Sequence, residues 1–342
     1  MKELFESYYK KVEELMKNMP LEEKVGQIFL ARYPQENVNE QILSENPGGY
    51  ILFGRNFNDQ TKESITKKIE ENQSNSRIKM FFAVDEEGGT VCRVSSHEAL
   101  RAERFKSPQQ LFKEGGIERI LSDCKEKTKL LKEIGLNVNL TPVVDIPTDI
   151  NSFMYKRAFG MKVEETSKYA KIFITEMLSS NMISCMKHFP GYGDNVDTHT
   201  GIAIDTRKYA EFENKDFLPF KSGIEVGAPM ILVNHNVINC MDEIYPASLS
   251  PRVHEILRKV FGFSGLIVTD DLKMDAVKEY AENGKAAVQA VLAGNDMLIS
   301  SNFLEQKKEI VNAIKSGEIS EKCINIAVRR ILSCKYSYGI IE

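Results

Sequence analysis

The feature that most constrains the fold of this chain is its regular alternation of short apolar runs with longer amphipathic segments. The apolar runs are three to six residues long and end in polar or helix-breaking residues, which is typical of buried strands rather than helices. Eight such runs are found, at 27–32, 50–53, 80–84, 138–140, 182–186, 230–233, 266–269 and 297–299.

The segments between most of these runs show the three-to-four-residue apolar spacing of helices. These segments are 62–72, 116–134, 163–180, 210–226, 251–260 and 275–293. Eight strands with intervening helices in 342 residues predict a (β/α)8 barrel, and an open doubly wound sheet is the structural alternative. No linker divides the chain, so we expect a single domain over 1–342, with an N-terminal helix at about 1–26, in which Pro20 starts a second short helix, and closing helices at about 303–342.

Composition and charge exclude several classes of protein. A formal net charge of −4 argues against a nucleic-acid binder, and no apolar run approaches the ~20 residues of a membrane-spanning helix. The charged N-terminal segment has no apolar core of a secretory signal, and the six cysteines are scattered without metal-ligand spacing. We therefore expect a monomeric cytoplasmic protein with reduced thiols and no nucleic-acid or membrane partner.

The stretch 183–200, ISCMKHFPGYGDNVDTHT, carries the densest set of chemically active residues. Its apolar run ends in Lys187 and His188, and the loop that follows contains Asp194, Asp197 and His199. In an extended segment, residues two apart project to one side, so a carboxylate at 197 would fix the tautomer of an imidazole at 199. That pair suits proton transfer near neutral pH, although a surface loop that merely contains these residue types is the alternative.

Polar residues also follow most of the remaining predicted strands. In a barrel, catalytic groups come from the carboxyl ends of the strands and the loops beyond them. Converging on one axial cavity, these residues would recognise a polyhydroxylated ligand and perform acid/base chemistry. They are Arg55, Asn56, Asp85, Glu86, Glu87, Arg93, Asp145, Arg157, Lys187, His188, Asn234, His235, Asp270, Asp271 and Asn302.

Asp270 and Asp271 follow the seventh strand and invite a catalytic interpretation. Adjacent strand residues point to opposite sides, so only one of the two is expected to face the barrel axis. The facing carboxylate would attack an anomeric carbon and form a covalent glycosyl-enzyme, as in retaining glycosidases. The spacing leaves open which aspartate it is.

Two other ligand classes are not expected. Gly88 and Gly89 do not form a phosphate-binding loop, because no GxGxxG or GK[ST] motif is present and three acids precede them. A metal held by Asp85, Glu86 and Glu87 is the other candidate, but consecutive acids rarely share one metal. We therefore expect neither a metal nor a cofactor.

Six motifs, in order from about residue 21 to 300, resemble those of family 3 glycoside hydrolases, in the NagZ-like β-N-acetylhexosaminidase branch. They are LEEKVGQIF, PGGYILFGRN, AVDEEGGTVCRV, NLTPVVDI with KRAFG, KHFPGYGD…DTH, and VTDDLKM. The chain departs from the family at Tyr192, which stands where a histidine is usual, and at Thr90. These departures leave the posture of the 190s loop open.

The resemblance implies a role for each matching residue. Asp270 matches the family's nucleophile, and His199 with Asp197 matches the histidine general acid/base of this branch. The positions that match residues holding the hydroxyls and acetamido group of the −1 sugar are Asp85, Arg93, Arg157, Lys187 and His188.

The function implied by the resemblance is that of a retaining exo-β-N-acetylglucosaminidase acting on cell-wall muropeptides, with a small carbohydrate as its partner and without cofactor. A phosphorylase or a β-glucosidase on the same scaffold is the nearest alternative. A non-catalytic sugar-binding barrel is the alternative from another class.

Overall fold

A parallel β-barrel forms the centre of the molecule. The computed structural model describes residues 3–198, 201, 203–278 and 285–342. Every residue in the eight barrel strands is buried except Arg32, as expected of parallel strands covered on both faces. The strands are β1 (Phe29–Arg32), β2 (Gly49–Leu52), β3 (Phe81–Val84), β4 (Val138–Asn139), β5 (Ile183–Phe189), β6 (Met230–Val233), β7 (Leu266–Thr269) and β8 (Leu298–Ser300).

The strand order closes the sheet into a barrel. The strands pair in the order β7-β6-β5-β4-β3-β2-β1-β8, and every pair in this sheet is parallel. A parallel bridge between Val268 and Met297, with the Thr269 amide donating to the Met297 carbonyl at 3.1 Å, joins β7 to β8. The predicted (β/α)8 barrel is confirmed, and the open doubly wound sheet is excluded.

Helices surround the barrel. Of those in the described part of the chain, none has the length and apolarity needed to cross a membrane. The main ones are α1 (Tyr9–Met16), α2 (Leu21–Gln27), α3 (Val38–Glu45), α4 (Lys62–Asn75), α5 (Pro108–Glu133), α6 (Val163–Ser179), α7 (Phe217–Glu225), α8 (Pro251–Glu255), α9 (Asp275–Lys278), α10 (Ala286–Ala293), α11 (Phe303–Lys315) and α12 (Glu321–Ser337). A helical turn at Tyr209–Glu211 and a π-helical segment at Phe212–Asp216 lead into α7, and a π-helical segment at Ile256–Val260 continues α8.

Two helical regions differ from prediction. The region predicted as helical at about 1–26, with a second short helix starting at Pro20, is confirmed as α1 and α2, preceded by a short turn. Helix α3 was not predicted, since Ile42 is its one buried residue and the apolar stripe is weak. The helix predicted at 275–293 is described as α9 and α10, and 279–284 lie outside the described residues.

Helix α12 carries a lysine into the barrel's lower end, away from the strand ends that hold the polar residues. Lys335 is fully buried, and its Nζ donates to Gln27 Oε1 at 2.9 Å and lies 5.1 Å from the centre of the Phe81 ring. Burial lowers the pKa of this ammonium to about 7. The unfolded chain therefore binds more protons than the folded one between about pH 7 and the ordinary lysine pKa near ~10.4.

This burial makes a prediction about stability. The cost of charging Lys335 is complete below about pH 7 and disappears as the pH rises toward ~10, so Lys335→Met is expected to stabilise the protein most in acid. The wild-type-to-variant difference in the free energy of unfolding should change by about 4 kcal/mol between pH 6 and pH 10. Urea denaturation at the two pH values measures it. The exposed Lys322 of the same helix, changed to Met, is the control, and equal pH dependence in both variants would contradict the prediction.

Candidate active site

A cavity of about 680 Å³ opens at the carboxyl ends of the barrel strands. Aliphatic side chains from five sequence regions contribute to its lining, namely Ile51, Leu140, Leu232, Met274 and Ile299. Seven of the eight predicted site residues line it: Asp85, Arg93, Arg157, Lys187, His188, Asp197 and Asp270. The eighth, His199, lies outside the described residues.

A buried network of ion pairs forms part of the cavity wall. Lys187 Nζ lies 2.5 Å from Asp85 Oδ1 and 2.7 Å from Glu87 Oε1. Arg157 donates two hydrogen bonds to the same Glu87 carboxylate, from Nη2 at 2.7 Å and from Nε at 3.0 Å. Glu87 was predicted at a strand end but not among the site residues. In the structure its carboxylate joins Lys187 to Arg157.

The network keeps its members charged. Burial by itself would raise the pKa of Glu87, but Arg157 and Lys187 outweigh it and hold that pKa well below its usual range. Burial would lower the pKa of Lys187, and the carboxylates of Asp85 and Glu87 raise it instead. An ammonium, a guanidinium and two carboxylates therefore present fixed donors and acceptors to a ligand.

His188 extends this network and has a defined tautomer. Its Nε2 lies 3.3 Å from Arg157 Nη2, and its Nδ1 lies 2.7 Å from Asp145 Oδ2. Because a guanidinium can only donate, Nε2 of His188 accepts from Arg157. The ring proton is therefore on Nδ1, which donates to Asp145. Asp145 also accepts from the amides of His188, at 3.2 Å, and Tyr192, at 2.7 Å, so it holds the end of β5 and the loop that follows.

Lys187 and His188 were predicted to follow the fifth strand, whereas the structure places both within β5. The strand continues to Phe189 because Phe189 pairs with Val233 of β6 after a shift in register. The peptide bonds Lys187–His188 and Phe189–Pro190 are cis.

The three acids after β3 have separate tasks. Asp85 and Glu87 bind Lys187, while the Glu86 carboxylate accepts from the backbone amides of three residues downstream, Arg93, Val94 and Ser95. Glu86 is fully buried and fixes the loop that carries Arg93. Within the described ranges, no group of three or more histidine, cysteine, aspartate or glutamate residues is arranged to hold a metal ion.

Asp270 and Asp271 both border the cavity. Strand β7 ends at Thr269, and the alternation of side chains ends with it. The Asp271 carboxylate accepts from the amides of Lys273 and Ser301, each at 3.0 Å, and from the Ser301 hydroxyl. These bonds tie Asp271 to the loop after β8.

Asp270 is held differently from its neighbour. Its amide donates to the Val233 carbonyl of β6 at 3.2 Å, and its Oδ1 accepts from the Asp271 amide at 2.8 Å. His235 contacts the backbone beside this pair of aspartates, with its Nε2 3.2 Å from the Asp271 carbonyl oxygen. The Asp270 carboxylate is thus fixed at the cavity surface by backbone.

Hydrogen bonds within the loop after β5, and to a neighbouring loop, hold it in place. The Tyr192 hydroxyl accepts from the Thr198 amide at 2.8 Å and donates to the Val196 carbonyl at 3.1 Å. Burial raises the pKa of Tyr192 to about 12, so the hydroxyl keeps its proton. Asp194 does not line the cavity, because its carboxylate accepts from the Thr148 and Asp149 amides at 2.7 and 2.9 Å. These bonds hold both flanks of Asp197.

Some lining residues were missed by the sequence analysis. Arg32 ends β1 and was counted only as part of an apolar run, although the rule of strand ends would have found it. Phe53 and Phe153 also line the cavity, and no sequence signal distinguishes them from core residues. Conversely, Asn56, although at a strand end, accepts from the Phe53 amide at 2.8 Å and only shapes its own turn.

Curated proteins similar to this chain carry glycosidase names. A protein named Beta-hexosaminidase from Nitrosomonas eutropha is 31% identical over 279 residues, which cover 78% of this chain and 77% of that protein. Another protein of the same name, from Psychromonas ingrahamii, is 28% identical over 83% of this chain and 84% of its own length.

Solved structures and family models agree with these similarities. A glycoside hydrolase family 3 beta-N-acetylglucosaminidase from Paenibacillus sp. str. FPU-7 superposes with a TM-score of 0.86 at 25% identity. The match covers 94% of this chain and 63% of the Paenibacillus chain. The family model described as Glycosyl hydrolase family 3 N terminal domain matches residues 20–334. The chain therefore belongs to glycosyl hydrolase family 3 and is a glycoside hydrolase.

Proposed function

We propose that this chain is a retaining exo-β-N-acetylglucosaminidase. The observation that carries the proposal is a single cavity lined by Asp270 together with Asp85, Arg157 and Lys187, with Glu87 paired to both of these cations. Relatives named Beta-hexosaminidase support the sugar class.

The network is suited to hold a sugar ring. Asp85 accepts hydrogen bonds from hydroxyl groups, while Lys187 and Arg157 donate to hydroxyl or carbonyl oxygens. Because Glu87 fixes Lys187 and Arg157 before any ligand arrives, little side-chain entropy is lost when the sugar binds. A terminal sugar enclosed in this way would be cleaved from the end of a chain.

The proposed reaction takes two displacements at the anomeric carbon. An Asp270 oxygen forms a bond to C1 as the bond from C1 to the aglycone oxygen breaks, and His199 gives its proton to that oxygen. Water then attacks C1, returns a proton to His199 and frees Asp270. Asp197 would orient the histidine, and two inversions leave the β configuration unchanged.

The natural substrate is proposed to come from the cell wall. Terminal N-acetylglucosamine of peptidoglycan fragments is the expected substrate, processed by a cytoplasmic monomer. The support for this part is the motif resemblance, in which KHFPGYGD…DTH is the most specific element.

Hydrolysis of p-nitrophenyl β-N-acetylglucosaminide and of the matching β-glucoside, each with and without inorganic phosphate, tests the proposal. We expect release of nitrophenol and free N-acetylglucosamine from the first substrate, much slower release from the second, and no dependence on phosphate. Formation of N-acetylglucosamine 1-phosphate would make the chain a phosphorylase, and faster cleavage of the glucoside would make it a β-glucosidase. No release from either sugar would reject the glycosidase proposal.

A further inference from the structure

The cavity contains two arginines that differ from all other partly buried arginines in the described part of the chain. Nine arginines there are partly buried, and seven of them have a carboxylate oxygen within 4.0 Å. The two without such a carboxylate are Arg32 and Arg93. Both line the cavity.

The two guanidinium groups lie near one aromatic ring. Arg32 Cζ is 4.6 Å and Arg93 Cζ is 5.9 Å from the centre of the Phe53 ring. The Nε atom of each is buried and has no hydrogen-bond partner. Two planar cations, each with a buried donor that has no partner, thus lie near one ring in the wall of the cavity.

Neighbouring charges do not neutralise Arg32. Burial and the nearby Arg55 lower the pKa of its guanidinium, and Asp271 acts in the opposite direction. The Asp271 carboxylate is already taken by the amides of Lys273 and Ser301 and by the Ser301 hydroxyl. A guanidinium stays protonated under such shifts, so the site keeps a positive charge.

We propose that Arg32, with Arg93 beside the same phenylalanine, receives an anionic group, a carboxylate or a phosphate, carried by the sugar substrate. Arg32 is then a specificity-determining residue, and the substrate class narrows to acidic amino-sugar derivatives. The inference rests on the proposed function, because it assumes that the cavity binds an amino sugar. Uncharged hydroxyls are left to the network around Glu87, where every cation already has its carboxylate.

Binding rather than turnover tests the inference. Isothermal titration calorimetry would compare N-acetylglucosamine, N-acetylglucosamine 6-phosphate and N-acetylmuramic acid on the wild type, Arg32→Gln and Lys156→Gln. Lys156 also lines the cavity and is exposed, so its variant loses the same charge without losing the arginine fork. The two acids distinguish a phosphate on the sugar from a carboxylate on a substituent.

We expect the wild type to bind at least one acid about tenfold or more tightly than N-acetylglucosamine, as a charge-assisted contact provides. Arg32→Gln should bring the ratio to about one without changing the affinity for the neutral sugar, and Lys156→Gln should keep the wild-type ratio. A wild type without preference for either acid would overturn the inference. So would an equal loss in both variants, because it would show a diffuse effect of charge.

The result also separates the two proposals. Hydrolysis of the β-N-acetylglucosaminide with no preference for acids would reject the anion site alone. A strong, Arg32-dependent preference for an acid in a chain that cleaves no N-acetylglucosaminide would keep the anion site and reject the proposed function. Arg32→Lys, which retains the charge but not the fork, should fall between wild type and Arg32→Gln if both variants melt at the wild-type temperature.

Discussion

Asp270→Ala is expected to lower kcat/KM for p-nitrophenyl β-N-acetylglucosaminide by about three orders of magnitude or more, equivalent to about 4 kcal/mol of transition-state stabilisation. The variant would lack the oxygen that bonds to C1, while the sugar-binding network of Glu87 keeps its partners. Steady-state kinetics measures the loss. The melting temperature of the variant, measured beside the kinetics, separates a loss of chemistry from a loss of folding.

Asp271→Asn is the matched comparison for Asp270→Ala. Asp271 accepts bonds from Lys273 and Ser301, so its variant is expected to lose stability and to retain much more activity. Full activity in Asp270→Ala together with a dead Asp271→Asn would transfer the nucleophile to Asp271.

Glu87→Ala is expected to lower the free energy of unfolding by about 3–5 kcal/mol, because it leaves Lys187 and Arg157 buried with too little negative charge. Activity should fall with it, since both cations lose their common anchor. Urea denaturation and kinetics measure the two effects. Glu98→Ala, at an exposed glutamate, is the control and should change neither.

The stability effect of Glu87→Ala has a defined pH range. The folded-state pKa of Glu87 lies well below the unfolded value near ~4.3, so its contribution is complete above that value and is lost only in acid. The difference between wild type and variant should therefore be constant from pH 6 to pH 8. A difference that declined across neutral pH would show that Glu87 is not held as a carboxylate by its two cations.

The sequence predicts the strands well where their apolar runs end at a turn. Strands β6 and β7 have the predicted bounds, because Met230–Val233 and Leu266–Thr269 are continuous apolar runs followed by polar residues. The bounds of β5 were wrong because Lys187 and His188 are polar yet buried. Burial of such residues depends on Asp85, Glu87 and Asp145, which lie far away in the chain.

The sequence predicted which residues lie at the site better than it predicted their hydrogen bonds and ion pairs. The rule of strand ends found Asp85, Asp270 and the residues of β5, because the fold alone brings those ends together. It did not distinguish the environment of Asp270 from that of Asp271, since Asp271 is bound by Ser301, in the loop after a different strand. Applied to β1, the same rule places Arg32 at the cavity, but the unpartnered Nε that distinguishes Arg32 depends on three-dimensional neighbours and not on spacing.

The most direct test of the central claim is the anomeric form of the first product. Proton NMR of wild-type enzyme with p-nitrophenyl β-N-acetylglucosaminide, recorded before mutarotation, reports the configuration at C1. A covalent intermediate on Asp270 predicts that β-N-acetylglucosamine is formed first and the α-anomer appears only later. Initial release of the α-anomer would show a single displacement by water and would contradict the assignment of Asp270 as a nucleophile.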